Sequence, residues 1–374
     1  MKNLYLDSAS STSVDSRVLK AMESYFSVEY GNPSSPHALG EKASKAITIS
    51  REIIARKINA KPHEIVFTSG TSESDSWVFQ GLARTSGKKK ILISALEHAA
   101  VMESCEYMKS MGYKIVKIPV DTFGVVNLSF IEGQLRKYAK EILVVSVMHV
   151  NNVIGVIEPI SEIGKLCKRY GVLFHTDVAQ SFAKLKIDVR GMNIDLLSAS
   201  AHKINGPKGI GMLYIRDGIK IEPLIFGGGQ ERNLRGGTEN VAGIVGFARA
   251  VECFDSRGFS KIGKIKNYLI GELEELGAKI NSPREGIANI VHCSFLNLEG
   301  RLIVTYLSGK GIYISSGSAC DSKSEKEDES LRAIGLSNKM IAGSLRISLD
   351  SSANLRDIDR LIGELKKAIK IFRV

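Results

Sequence analysis

Short apolar runs alternate with longer amphipathic segments through most of the chain. The apolar runs have the length of buried strands and cover 64–68, 90–94, 114–118, 142–147, 172–174, 194–199 and 210–215. Apolar residues recur at helical spacing in the segments 17–26, 41–58, 73–82, 98–111 and 129–138. This alternation predicts a doubly wound, mostly parallel α/β sheet, which binds its ligands at the carboxyl ends of its strands.

The last third of the chain follows a different pattern. From residue 260 it is richer in lysine, and strands are predicted at 288–296 and 312–314. Helical spacing returns at 300–308 and in the charged, amphipathic segment 355–371. A helix that ends near residue 254 is expected to begin the crossing into this second, smaller α+β region.

Composition and charge exclude several classes of protein. Hydrophobic residues make up 44% of the 374 positions, which is enough to bury a sizeable core. No apolar run approaches the ~20 residues of a membrane span, and the polar start of the chain lacks a signal-peptide core. We therefore expect a cytoplasmic protein that does not contact membranes. The net charge is +11, but the basic residues are dispersed, so direct nucleic-acid binding is not expected.

The cysteines lack the paired spacing of a disulfide framework or a zinc site. They stand at Cys105, Cys167, Cys253, Cys293 and Cys320. Cysteines are usually buried, but Cys320 lies in a polar run. The segment 321–330 has no periodicity and is expected to be a flexible, exposed loop. A lone cysteine in such a loop is a candidate reactive thiol, and no metal site is expected.

Two charged residues follow predicted strands at the edge where ligands bind. Asp177 comes after the run 172–174, and Lys203 comes between the run 194–199 and a turn rich in glycine and proline. We expect both side chains to face one cleft. A buried structural ion pair is the plainer alternative for a lysine near an aspartate.

A candidate anion site lies between the strand at 64–68 and the helix at 73–82. Here a glycine turn carries small hydroxyls, Thr71 and Ser72, so backbone N–H groups and the helix dipole point at one spot. Helix capping alone is the alternative. Near the end of the chain, Arg346 is a suitable bidentate partner for a carboxylate.

Six motifs occur in the order of one known family. They read Gly-Asn-Pro-Ser-Ser, His-Val-Asn-Asn-Xaa-Xaa-Gly, His-Xaa-Asp-Xaa-Ala-Gln, Ser-Ala-His-Lys, the glycine-rich run 227–240 and Ser-Gly-Ser-Ala-Cys. Together they resemble the NifS/IscS-type cysteine desulfurases of the class V aminotransferases. The resemblance covers essentially the whole chain. It implies a fold-type I enzyme with a large domain at 14–255 and a small domain formed by 1–13 and 256–374.

The resemblance also implies that pyridoxal 5'-phosphate is the cofactor. Lys203 would bind it as a Schiff base, Asp177 would keep its ring nitrogen protonated, and His98 would stack on the ring and exchange protons. The implied cofactor contacts are Thr71, Ser72, His98, Asn152, Asp177, Gln180, Ser200, His202, Lys203 and Thr238. Thr238 would reach the cofactor of a second subunit, so a homodimer is expected. Asn32, Asn152 and Arg346 would bind the substrate, although a plain turn is the alternative for Asn32.

The implied reaction converts L-cysteine to L-alanine and leaves the sulfur as a persulfide on Cys320. An acceptor protein in iron–sulfur cluster assembly or tRNA thiolation would then take the sulfur. Three alternatives remain open at this point: a selenocysteine lyase, another class V aminotransferase, and a non-enzymatic scaffold. The chain departs from the family pattern at Ser8, Ser72, Val153, 327–330 and Asp350.

Overall fold

The computed structural model describes residues 3–317 and 325–372. The strands are β1 Leu4–Tyr5, β2 Ile65–Thr68, β3 Lys90–Ser94, β4 Lys114–Ile118, β5 Ile142–Ser146, β6 Leu173–Asp177, β7 Leu196–Ser200, β8 Gly211–Ile215, β9 Lys279–Ile280, β10 Ile290–Ser294, β11 Ile312–Tyr313, β12 Ser315–Ser316 and β13 Ser344–Ser348. The helices are α1 Ser16–Ser27, α2 Ala38–Lys57, α3 Thr71–Thr85, α4 Ala99–Ser110, α5 Leu128–Tyr138, α6 Ile160–Tyr170, α7 Val241–Cys253, α8 Ser256–Glu275, α9 Gly300–Gly309, α10 Glu325–Ala333, α11 Asn338–Ala342 and α12 Leu355–Phe372. None of the helices in these ranges is long and apolar enough to cross a bilayer.

A seven-stranded sheet organises the first two thirds of the chain. Its strand order is β2-β8-β7-β6-β5-β3-β4, and β3 to β7 run parallel to their neighbours within that group. Only β8 is reversed among the described strands of this sheet, since it pairs antiparallel with both β7 and β2. The predicted α/β fold with a mostly parallel sheet is confirmed.

Helices cover both faces of this sheet, as expected for strands that are apolar on both sides. On one face, α3 and α4 contribute Trp77 and Val101 to a core that also contains Ile91 and Leu196. On the other face, α1, α2, α5, α6 and α7 enclose alternate residues of the same strands. The sheet is therefore held rigid from both sides, and its carboxyl edge is left for loops.

The last third of the chain builds a separate hydrophobic core around a four-stranded antiparallel sheet. The strand order is β12-β13-β10-β9, and α8, α9 and α12 pack against it. Near the start of the chain, β1 pairs parallel with β11, so Leu4 and Leu6 join this second core. The proposed boundary at residue 255 remains a prediction about domains.

One expectation about the second region is wrong, and another stays open. The helix α7 packs in the first core through Phe247 and Ala250, and Phe254 directly after it packs against both cores, so a crossing at this point stays a prediction. The segment 325–330 is not a loop, because it forms the first two thirds of α10. Leu331 is buried against Leu96, which gives that helix an apolar anchor that the polar sequence before it did not reveal.

Candidate active site

A cavity of about 500 Å³ opens at the carboxyl edge of the large sheet. It lies where β2, β3, β5, β6 and β7 end, because the segments that follow these strands form its wall. Nine of the predicted site residues line it, namely Thr71, Ser72, His98, Asn152, Asp177, Gln180, Ser200, His202 and Lys203. The loops after five strands therefore bring together residues that are up to 132 positions apart, counting from Thr71 to Lys203.

Lys203 ends a short 3-10 turn, Ala201–Lys203, that directly follows β7. Its Nζ donates hydrogen bonds to the carbonyl oxygens of Ala9 and Ser10, the latter at 2.7 Å. Gln180 Nε2 donates to the same Ala9 oxygen at 2.8 Å. The turn that follows Asp7 thus crosses from the second core to the cavity and holds the lysine amine in place.

Asp177 is the last residue of β6 and is 3% exposed. Its Oδ1 accepts a hydrogen bond of 2.7 Å from the N–H of Ala179. Burial raises the pKa of Asp177 to about 6, while the Ala179 N–H and the positive charge of Lys203 act in the opposite direction. Asp177 and Lys203 both line the cavity, as the sequence predicted. A carboxylate in this position can pair with a protonated ring nitrogen.

The turn between β2 and α3 has the features of an anion site. Glu73 Oε2 accepts a hydrogen bond of 2.7 Å from Ser69 N–H, so the turn is held closed against the start of α3. Gly211 lets the turn approach the sheet, since a Cβ there would lie 2.7 Å from the Cα of Gly70. Thr71 Oγ1 lies buried in the wall and has no hydrogen-bond partner in the described part of the chain.

His98 both caps a helix and lines the cavity. Its Nδ1 accepts a hydrogen bond of 3.1 Å from Ala100 N–H at the start of α4. Burial, with a smaller contribution from Lys203, lowers the pKa of His98 to about 4. The ring is therefore neutral at pH 7, and capping the helix does not remove it from the cavity wall.

His202 and Asn152 complete the wall. Burial is the main cause that lowers the pKa of His202 to about 4, and its Nδ1 lies 3.3 Å from Ser11 Oγ. The neighbouring Asn151 is structural, because its Oδ1 accepts the N–H groups of Val153 and Ile154. Asn151 folds the loop that presents Asn152.

Arg346 lies next to the cavity rather than in its wall. Its Nη2 donates to Asp7 Oδ1 at 3.1 Å, Ser10 Oγ at 2.6 Å and Ser315 Oγ at 3.1 Å. Its Nη1 donates to the carbonyl oxygen of Asn152 at 3.1 Å. Arg346 Nε is buried without a partner among the residues described, so one edge of the guanidinium keeps a donor for a carboxylate.

Two more predicted residues, Thr238 and Asn32, likewise do not line the cavity. Thr238 lines a smaller neighbouring cavity of about 70 Å³, which shares Ser69 with the large one. Asn32 Oδ1 accepts from Ser34 N–H at 2.9 Å, which is the plain turn of the alternative reading. Cys320 lies outside the described residues.

Other lining residues were not singled out as site residues from the sequence, among them Ser10, Ser11, Met148 and Lys208. Lys208 lies in the glycine- and proline-rich turn that follows Lys203, and this proximity in sequence was the available signal. Ser10 and Ser11 belong to a polar turn near the start of the chain. Their position depends on the pairing of β1 with β11, and no local sequence pattern predicts that pairing.

The side chains present fit the cofactor that the resemblance implies. Thr71 Oγ1, in the candidate anion site, and Ser200 Oγ are buried hydroxyls that lack partners among the described residues. Gln180 Oε1 is likewise buried without a described partner. Buried polar groups are normally hydrogen-bonded, so three such atoms in or beside one cavity indicate a polar ligand.

Comparisons with known proteins agree on the family. The model of the aminotransferase class-V family matches residues 4–361. A cysteine desulfurase IscS of Clostridium botulinum is 41% identical over 379 residues, which cover 99% of this chain and 95% of that protein. A solved NifS-like protein superposes with a TM-score of 0.93 at 35% identity and covers 99% of this chain and 100% of that chain. A structure described as SspA in complex with cysteine has a TM-score of 0.82 at 37% identity, with 92% and 98% covered.

The fold and the convergent cavity thus define a fold-type I α/β enzyme architecture. The chain belongs to the aminotransferase class-V family. The resemblance drawn from the six sequence motifs is confirmed.

Proposed function

We propose that this protein is a pyridoxal-phosphate-dependent cysteine desulfurase that converts L-cysteine to L-alanine. The observation that carries the proposal is the meeting of Lys203, Asp177 and His98 beside the anion-binding turn in one cavity. The full-length similarity to proteins named cysteine desulfurase supports the choice of reaction. The solved relative described in complex with cysteine supports the choice of substrate.

The wall of the cavity supplies the groups that would hold the cofactor. The N-terminus of α3 and the hydroxyls of Thr71, Ser72 and Ser200 would bind its phosphate, and Asp177 would bind its ring nitrogen. When bound, the cofactor withdraws electrons from the substrate and makes its α-proton acidic. Thr238 would complete the phosphate site of a second subunit, which makes the active form a homodimer.

The other residues of the chain would bind the amino acid and move protons. Arg346 would bind the substrate carboxylate through the edge that carries its partnerless Nε. The Lys203 amine would take up the α-proton, and the neutral His98 ring would exchange protons in the same cavity. Asp177 is buried, so water is excluded from its carboxylate and its pKa is raised. The carboxylate would therefore hold the proton of the ring nitrogen more strongly.

Cys320 would receive the sulfur. Its thiolate attacks the substrate sulfur, the carbon–sulfur bond breaks, and the products are L-alanine and a Cys320 persulfide. Atoms balance, since one cysteine and one thiol give one alanine and one persulfide without an external oxidant. An acceptor protein, serving iron–sulfur cluster assembly or tRNA thiolation, would take the sulfur next. We place the reaction in the cytoplasm, which agrees with the lack of a disulfide among the four described cysteines.

The test is to incubate the loaded protein with L-cysteine and a reducing thiol, and to measure alanine and sulfide. Equal amounts of both products are expected. Selenocysteine in place of cysteine tests the lyase alternative, and a keto-acid co-substrate tests the aminotransferase alternative. Alanine formed only with a keto acid, and without sulfide, would contradict the proposal.

A further inference from the structure

A second carboxyl group lies behind Asp177, and the reaction described above does not use it. Asp75 projects from the buried face of α3 and is 0% exposed. Neither of its carboxyl oxygens has a hydrogen bond of good geometry among residues 3–317 and 325–372, although the Ser198 hydroxyl is close enough to favour the ionised form. An ionised carboxylate without partners is strongly disfavoured in such a place, so this side chain needs a physical explanation.

The large sheet arranges the surroundings of Asp75. His175 and Asp177 are two positions apart on β6 and project from the same face, and Ser198 pairs with Asp177 in the β6–β7 ladder. His175 Nε2 lies 3.6 Å from Asp75 Oδ1 and 2.9 Å from Ser198 Oγ. His175 Nδ1 lies 2.8 Å from Ser146 Oγ. Asp75 therefore packs onto the face of the sheet that ends in Asp177.

The charged and titratable groups nearby affect the pKa of Asp75 and the pKa of Asp177 differently. Burial, the negative charge of Asp177 and the more remote charge of Glu97 all raise the pKa of Asp75, and the Ser198 hydroxyl partly opposes them. Burial lowers the pKa of His175 to about 3, so its ring is neutral and offers no positive charge. Burial also raises the pKa of Glu97 to about 8. Lys203, in contrast, lowers the pKa of Asp177.

We propose that Asp75 is a positioning residue for Asp177: it keeps the proton of the pair as a neutral acid, so that Asp177 is the anion. Two carboxyl groups in one dry volume ionise in sequence, and the first proton leaves the group with the better surroundings. Asp177 faces Lys203 and the cavity, whereas Asp75 faces the core. The inference rests on the proposed function, in which Asp177 pairs with a protonated ring nitrogen.

The direct test is infrared spectroscopy of the full-length protein at pH 7, both loaded and free of cofactor. A protonated carboxyl has a carbonyl stretch that a carboxylate and an amide lack. Asp75→Asn should remove one such band from both forms of the protein. Glu158→Gln is the matched control, since burial raises the pKa of Glu158 to about 8 and this variant should lose a different band. Ser198→Ala should shift the Asp75 band, because the hydroxyl acts on that carboxyl.

Cofactor binding gives a second readout. If Asp75 is a neutral acid, the isosteric amide of Asp75→Asn should bind pyridoxal phosphate within about threefold of wild type at pH 7, whereas Asp177→Asn should bind it at least about tenfold more weakly. If the spectra of wild type and Asp75→Asn differ by no lost carboxyl band, the inference is overturned. Tenfold weaker binding by a folded Asp75→Asn protein would also overturn it, since Asp75 would then act as an anion. Neither readout depends on turnover, so a failure of the proposed reaction is recognised separately.

Discussion

The two ends of the large sheet each carry a cavity of similar size but of different character. The carboxyl end has the cavity of about 500 Å³ described above. The amino end has one of about 430 Å³, whose wall contains Lys88, Lys89, Lys90, Lys114 and Lys140 together with Glu141. Size and charge alone would rank both as candidate anion sites.

The difference lies in how the polar groups are satisfied. At the amino end, Lys90 Nζ lies 3.0 Å from Glu141 Oε2 and 3.1 Å from the centre of the Tyr138 ring. At the carboxyl end, Thr71 Oγ1 and Ser200 Oγ are buried and lack partners in the described chain. Buried polar groups that converge without protein partners indicate a ligand, whereas a paired lysine indicates a structural contact.

Removing one lysine at each end should separate the two ends most strongly. Lys203→Ala should reduce turnover by about 10³-fold or more, because the amine proposed to attach the cofactor and to move the α-proton is lost. Borohydride treatment of the wild type should fix the cofactor on Lys203. Lys90→Met is the matched control and should keep turnover within about threefold, with its effect confined to stability.

The comparison would fail if Lys90→Met lost activity in a folded protein, or if borohydride fixed the cofactor on another lysine. Either result would mean that partnerless polar atoms do not mark the site.

A pair of buried aspartates provides the next largest contrast. Asp177→Asn should lower turnover by at least about 30-fold, or ~2 kcal/mol, because an amide cannot hold the proton on the ring nitrogen. Asp195→Asn is the control, since Asp195 is also buried but accepts from Phe174 N–H and pairs with Arg216 away from the cavity. That variant should lose stability and keep its turnover per folded molecule. A rate for Asp177→Asn within about threefold of wild type would refute the assignment.

The next prediction concerns Arg346, which lies beside the cavity and not in its wall. Arg346→Lys should raise KM for L-cysteine about tenfold, since lysine cannot make the bidentate contact, and should leave cofactor absorbance unchanged. Arg216→Lys changes an arginine that pairs with Asp195 and should leave KM unaltered. An unchanged KM for Arg346→Lys would place the substrate carboxylate elsewhere.

The last contrast concerns stability and pH rather than turnover. Burial raises the pKa of Asp75, so above the ordinary aspartate value of ~3.9 the folded chain binds a proton that the unfolded chain has lost. This contribution makes stability fall as pH rises from ~3.9 towards the folded pKa, by up to about 1.4 kcal/mol per pH unit. Asp75→Asn should remove that slope in urea unfolding measured at pH 4 to 7. A slope identical to wild type would show that Asp75 ionises normally.

Local sequence patterns were sufficient for the sheet and for most of the cavity. Lys203, Asp177 and His98 each follow a strand, and parallel strands place such positions along one edge, so their meeting follows from topology. The role of the turn at Ser10 could not be read locally, because it depends on the pairing of β1 with β11 some 308 positions away, counting from Leu4 to Ile312. The surroundings of Arg346 could not be predicted locally either, because it pairs with Asp7 near the other end of the chain.

The polar segment before Leu331 shows why composition misleads near a core. A run of charged residues without periodicity predicts a loop, yet one apolar residue anchors α10 against Leu96 and Ile334. Glu329 then pairs with Lys117 at 3.2 Å on the exposed side of that helix. Tertiary contact outweighs local pattern in this segment.

The most direct test of the central claim is whether Cys320 carries sulfur from the substrate. Wild type and Cys320→Ser should be incubated with L-cysteine under non-reducing conditions and digested for mass spectrometry, with Cys253→Ser, which changes a half-buried cysteine, as control. We expect the wild type and the control to show one extra sulfur on the peptide that contains residue 320. The Cys320→Ser protein should bind pyridoxal phosphate normally but release almost no alanine, because a serine hydroxyl is a poor nucleophile at neutral pH. Alanine formation by wild type without that adduct, or an undiminished rate for Cys320→Ser, would contradict the desulfurase account.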